Sequence, residues 1–204
     1  MQGSSAPGDN DPRIERTRVL LWSTLVALID EVGYPAISVS DIARRARVNR
    51  STFYHHFEDK DDLFRQGCSD LYDSIFSKLE RHRDASSASN ALWSPEYFYH
   101  LFALVDAERE TFRIIGGPKS NPDFRNIMKD KIDTFVIRER FWPFLPGEEV
   151  DSDIAVLNAT VVSSILSGLI ARWFMAPERF SLEKVCDAYI AAITKGVRPY
   201  SIVE

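Results

Sequence analysis

Residues 38–64, SVSDIARRARVNRSTFYHHFEDKDDLF, constrain the fold more tightly than any other stretch of the chain. Ser38 is a good helix N-cap, and Asp41 three residues on is a capping-box-like partner that also suits the positive end of the helix dipole. Val39, Ile42, Ala43 and Ala46 form the inner face of that helix. Asn49 can cap a second short helix, whose inward residues Phe53 and Phe57 lie one turn apart. Asp61 and Asp62 then open a longer helix, with Phe64, Cys68, Leu71, Ile75 and Leu79 as an apolar seam running to about Arg83. Neither short helix can bury its stripe alone, so the segment must fold as one unit.

A further helix precedes it. Ile14, Leu21, Leu25, Leu28, Ile29 and Val32 share a stripe, Gly33 caps its end, and Pro35 prevents its resumption. The polar side of the second short helix carries Arg50, Ser51, Thr52, Tyr54, His55 and His56, side chains able to reach nucleic acid, over the Phe53 and Phe57 anchors. The whole chain has a formal net charge of −5, which does not indicate nucleic-acid binding. Its distribution does: from Ile42 to Phe57 the only charged residues are Arg44, Arg45, Arg47 and Arg50.

Beyond the long helix, DASSASNALWSP (84–95) reads as a loop, and helical candidates follow at 96–110, 122–140, 152–175 and 182–196. No run alternates as a strand does, so the expected architecture is all-α. The boundaries expected are an arm over 1–12, a first domain over 13–75 and a second over 76–204. Residues 154–171 are 18 residues without a charge, long enough for a membrane span. Asn158, Thr160, Ser163, Ser164 and Ser167 dilute that stretch. The small residues Ala155, Ala159, Ser163, Ser167 and Ala171, at every fourth position, instead suit close approach of a helix from a second subunit, the alternative being a plain core helix within the chain. The two cysteines, Cys68 and Cys186, have no metal-ligand spacing, and no disulfide is expected. The arm is Gly/Ser/Pro/Asp-rich without a signal-peptide pattern, and the chain reads as cytoplasmic.

Gly33-Tyr34, Ser38-Val39, Asp41-Ile42-Ala43, Ala46, Val48, Thr52-Phe53-Tyr54, His56-Phe57 and Lys60-Asp61-Asp62-Leu63-Phe64 together resemble the N-terminal domain of the tetracycline-repressor (TetR) family. One departure is Arg47, which stands in the turn where that family usually has glycine. The resemblance implies a three-helix DNA-binding domain with its helix-turn-helix at 38–57 and a helical C-terminal ligand-binding and dimerisation domain. It further implies a homodimer on a palindromic double-stranded operator, the helices 152–175 and 182–196 pairing with the partner's, and release from DNA on binding an effector.

Thr52, Tyr54 and His55 are the leading candidates for DNA contact. By the likeness Tyr54 donates its hydroxyl to a phosphate; the bland alternative is a half-buried core tyrosine. Arg50 and Ser51 lie in the first turn of the reading helix, where Arg50 can take a guanine or a phosphate. Ser38 and Asn49 lie at the two helix starts, where Ser38 can meet the duplex backbone or serve as a cap alone. Lys60 is expected at a phosphate, or else solvated. Arg44 and Arg45 contribute general electrostatics or a solvated surface.

For the second domain, Trp93, Tyr97, Phe98, Phe102, Phe112, Phe124, Met128, Phe135, Trp142 and Phe174 offer an interior suited to a small apolar or aromatic effector, although each suits ordinary packing too. An enzyme is not expected. His55 and His56 are adjacent and cannot share a helix face, and no nucleophile motif, phosphate loop or Cys/His cluster occurs, so neither metal nor cofactor is called for. The function expected is a sequence-specific, ligand-released repressor; the alternative is an activator or co-regulator of the same fold governed by a protein partner.

Overall fold

Residues 12–85, 95–138, 152–176 and 178–195 are described by the structure, a computed structural model, and every element among them is helical. The arm over 1–11, the stretch 86–94 with Trp93, and Trp142 lie outside the described residues. By its internal packing the chain divides into two units, residues 1–70 with 114–124, and residues 71–113 with 125–204.

In the first unit α1 (Pro12–Val32) buries Leu21, Leu25, Leu28 and Ile29, as its stripe requires, while Val32 at its end stays exposed. Gly33 follows with φ of 82°, a conformation glycine adopts freely, and its N–H closes the helix on the Ile29 carbonyl at 3.0 Å. A single 3₁₀ turn, Tyr34–Ala36, leads into α2 (Val39–Ala46), with Ile42, Ala43 and Ala46 buried, and then α3 (Arg50–His56), anchored by Phe53. The long helix α4 (Lys60–Ala85) starts in this unit, with Leu63, Phe64 and Cys68 in its core. Trp22 lies so close to Gly67 that a Cβ there would stand 2.1 Å from the indole ring. Residues 114–124 complete the unit: the Lys119 carbonyl accepts from Tyr34 N–H at 2.8 Å, and Lys119 Nζ donates to the Asp30 carbonyl at 3.1 Å.

The second unit contains α5 (Pro95–Ala107), α6 (Arg109–Ile115, up to Arg113), α7 (Phe124–Arg138, from Arg125), α8 (Ser152–Met175) and α9 (Leu182–Lys195). One helix was expected over 96–110; the chain instead breaks at Glu108 and restarts as α6. Phe102, Val105, Phe112 and Ile115 keep helical spacing across that single-residue break, so periodicity alone cannot reveal it. On α4, Leu71 is only half-buried, and Tyr72 and Phe76 enter the core beside Ile75 and Leu79.

Rings fill this core. Phe98 and Phe102 meet Tyr189 edge-on at 5.1 and 5.6 Å, Phe76 stacks on Phe135 at 4.0 Å, and Trp173 donates its indole N–H to the Phe180 carbonyl at 2.9 Å. On α8 the small residues Ala159 and Ser163 turn inward, Ser163 donating to Asp133 of α7, so they line this chain's own core and not an outer face. The exposed large apolar residues of α8 are Ile154, Val156, Leu157, Val161 and Met175, with the open Gly168 between the last two. Val156–Met175 is the one span among the described residues long and apolar enough, by length and composition, to cross a membrane.

Both cysteines are buried, and burial raises both thiols, Cys186 to about 12 with Asp187 adding to the effect. Neither forms the thiolate that a reactive cysteine needs near neutral pH.

Candidate nucleic-acid interface

The start of α2 is fixed by a reciprocal capping box. Asp41 N–H donates to Ser38 Oγ at 3.2 Å, and Ser38 N–H donates to the Asp41 carboxylate at 3.0 Å. The Ser38 hydroxyl and N–H, and then Arg44, hold the Asp41 carboxyl below its usual range. The end of α2 is a Schellman closure, in which Val48 N–H bonds the Ala43 carbonyl at 3.0 Å and Arg47 N–H the Arg44 carbonyl at 3.2 Å. The residue that turns the chain is Arg47, left-handed at φ 58° and ψ 38°. A non-glycine residue there carries a strain of about 1–2 kcal/mol.

Asn49 occupies the N-cap of α3 with extended backbone, but its side chain makes no cap hydrogen bond and stays exposed. From there α3 divides cleanly. Phe53 is fully buried and Phe57 nearly so, while Arg50, Ser51, Tyr54 and His55 are exposed and Thr52 and His56 half-buried. Tyr54, 50% exposed, is not a core residue. Arg50 lies one turn before it, donating to the Tyr54 hydroxyl at 3.3 Å. Burial first, and then His55 and Arg18, hold the His56 imidazole below its usual pKa, so it is largely neutral at pH 7.

The four arginines of this segment have different partners. Arg44 pairs with Asp41 and Arg45 with Glu31, both at 2.6 Å, which neutralises half of the local positive charge. Arg47 and Arg50 have no carboxylate partner among the described residues. Lys60 is committed inward, with Nζ donating to the Tyr34 and Ile37 carbonyls at 2.9 and 2.8 Å and lying 4.5 Å from the centre of the Tyr34 ring. Two of its three protons therefore brace the turn before α2. That role and the Tyr34 hydroxyl's bond to Asp61 escape sequence reasoning, because each joins residues more than twenty positions apart. Ser38, Asn49, Arg50, Ser51, Tyr54 and His55 are all exposed on the α2–α3 segment, with Thr52 half-buried among them.

A family model for bacterial regulatory proteins of the tetR family matches residues 23–66. Over most of its length the chain is similar to the HTH-type transcriptional regulator AcrR of Shigella flexneri, 23% identical over 192 residues and 88% of each chain. It is also similar to the HTH-type transcriptional regulator BetI of Proteus mirabilis, 27% identical over 86% of this chain and 90% of that one. The fold is shared with a TetR transcriptional regulator from Streptococcus agalactiae, with a TM-score of 0.63 and 20% identity over 89% of this chain and 95% of that one.

Proposed function

Because the chain belongs to the tetR family of bacterial regulatory proteins, a family of DNA-binding transcriptional regulators and not of enzymes, we propose that it is a ligand-released homodimeric repressor that reads a palindromic operator with α3. The single observation carrying this reading is the division of α3: a helix held from behind by Phe53 and Phe57 leaves Arg50, Ser51, Thr52, Tyr54 and His55 along the side away from the core. A helix of that build enters a major groove with its N-terminal residues at base edges. Arg50 and Ser51 occupy that first turn. Tyr54 and His55 follow within reach of the groove or its walls, and Asn49, unneeded as a cap, is available to the duplex. Ser38 approaches the backbone from the start of α2, while Lys60 acts chiefly by holding the turn and has one proton left for a phosphate.

Proteins of this family bind DNA as dimers, and this chain's second reading head comes from a second copy. For the joint between copies the α8 face of Ile154, Leu157, Val161, Gly168 and Met175 fits, since it repeats at helical spacing and is apolar and uncovered. With α9 it supplies two helices from each copy to a four-helix bundle. The aromatic interior around Phe98, Phe102 and Tyr189 suits a small apolar or aromatic effector, and the protein works in the cytoplasm, where its operator is.

The test is selection of bound duplexes from a random pool by the purified full chain at low salt. The expected product is one two-fold symmetric site, its half-sites about 34–36 Å apart or a multiple of that. Recovery of no enriched sequence would sink the proposal.

A further inference from the structure

From the left-handed turn between α2 and α3 we infer that Arg47 is itself a DNA-contact residue, gripping a phosphate at the lip of the groove and held in a strained backbone conformation for that purpose. The inference rests on the reading of α3 as the groove-entering helix.

Position comes first. In a helix-turn-helix the first helix crosses the sugar–phosphate backbone and the second lies in the groove, so the turn joining them sits at the groove's edge. Arg47 is that turn, three residues before Arg50 opens α3. Charge comes second. Of the four arginines between Ile42 and Phe57, Arg44 and Arg45 are tied to Asp41 and Glu31. Among the described residues the exposed Arg47 guanidinium has neither a hydrogen-bond nor an ion-pair partner, so nothing within the chain accounts for a cation there. Its backbone N–H alone takes part in the Schellman closure.

Backbone cost comes third. Among the described residues Arg47 is the sole non-glycine residue with positive φ, and a turn of this kind is served without strain by glycine. The helix needs the turn but not the side chain. Strain held at one position without structural return is expected where a side chain has work outside the fold. Phosphate is the acceptor that a lone, solvent-facing guanidinium at a groove edge matches, because it is present at every step of the duplex and takes an arginine bidentately.

The two arms of the inference predict opposite signs. Arg47→Gly removes the strain and one cation per head. Its thermal midpoint rises by about 2–4 °C, while affinity for the selected duplex falls roughly thirtyfold near 0.15 M salt. The slope of log affinity against log salt becomes shallower by about 2 for the dimer. Loss is uniform across duplex sequences, since a phosphate carries no base identity. Arg47→Asn, which tolerates the left-handed region, weakens binding in the same way without lowering the midpoint. Arg47→Lys keeps the wild-type salt slope.

Unchanged affinity and slope in the glycine and asparagine variants overturn the inference. So does an affinity loss with an unchanged slope, which makes the turn a matter of geometry alone, or a glycine variant whose midpoint does not rise. A wild-type chain that binds no duplex refutes the underlying reading, and is told apart from these because it needs no variant.

Discussion

The α2–α3 segment and the C-terminal unit use the same residue types to opposite ends. On α3 neighbouring aromatics part company, with Phe53 fully buried and Tyr54 half exposed, and the exposed cations Arg47 and Arg50 have no acidic partner among the described residues. In the C-terminal unit Phe98, Phe102, Trp173 and Tyr189 are all buried, and Asp133 is answered by Ser163 and Lys129 inside the same unit. One region therefore works through what it leaves outside, and the other through what it encloses. Substitutions that ignore this distinction should have the same size in both regions; those that respect it should separate stability from binding.

The largest effects come from the enclosed residues. Phe53→Ala and Phe102→Ala should each cost about 3–5 kcal/mol, as large cavities in close-packed cores do. Hydrogen exchange should place the first loss in the amides of α1–α3 and the second in those of α5, α8 and α9. Protection lost in the same amides for both variants would break the comparison. The next effect sharpens it. Arg50→Ala should weaken binding to the selected duplex by about 1–3 kcal/mol, measured by fluorescence anisotropy, while chemical denaturation stays within about 0.5 kcal/mol of wild type. An equal loss of stability would mean that Arg50 belongs to the fold and not to the interface.

The smallest effect is common to both regions. His56 in the head and His100 in the C-terminal unit, the latter stacked on His82 at 3.9 Å, both have depressed pKa values, chiefly through burial. Their unfolded forms bind protons first on acidification, with an ordinary pKa near ~6.5. Stability from each is therefore complete above that pH and declines as pH falls through it toward the lower folded value. Denaturation curves across that window should show a modest loss that His56→Gln and His100→Gln each reduce; a rise in stability on acidification would contradict the sign.

How much was legible follows the range of the interactions. The Ser38–Asp41 box, the Gly33 stop and the Phe53–Phe57 anchor are local, each set within four or so residues, and the structure places them where spacing puts them. The left-handed backbone at Arg47 was not legible, because an arginine where the family usually has glycine leaves the geometry of the turn open until the structure shows φ at 58°. Lys60 was not: its inward bonds depend on the path of the chain around Tyr34 and Ile37. Nor was the pairing of Arg45 with Glu31 on α1, which halves with Arg44–Asp41 a charge that sequence counts in full. Of the small-residue repeat on α8, Ala159 and Ser163 are buried, and Ser163 meets α7 of its own chain where a second subunit was expected. A stripe identifies a contact without naming the partner.

The central claim is that the outer side of α3 reads base identity. It is tested most directly by the ratio of affinities for the selected duplex and a scrambled one, measured for wild type and for the triple variant Ser51→Ala, Thr52→Ala, His55→Ala. These changes leave every arginine and both phenylalanine anchors in place. The ratio should fall toward one, with binding to the scrambled duplex and the thermal midpoint unchanged. A variant that discriminates between the two duplexes as well as wild type does would contradict the account.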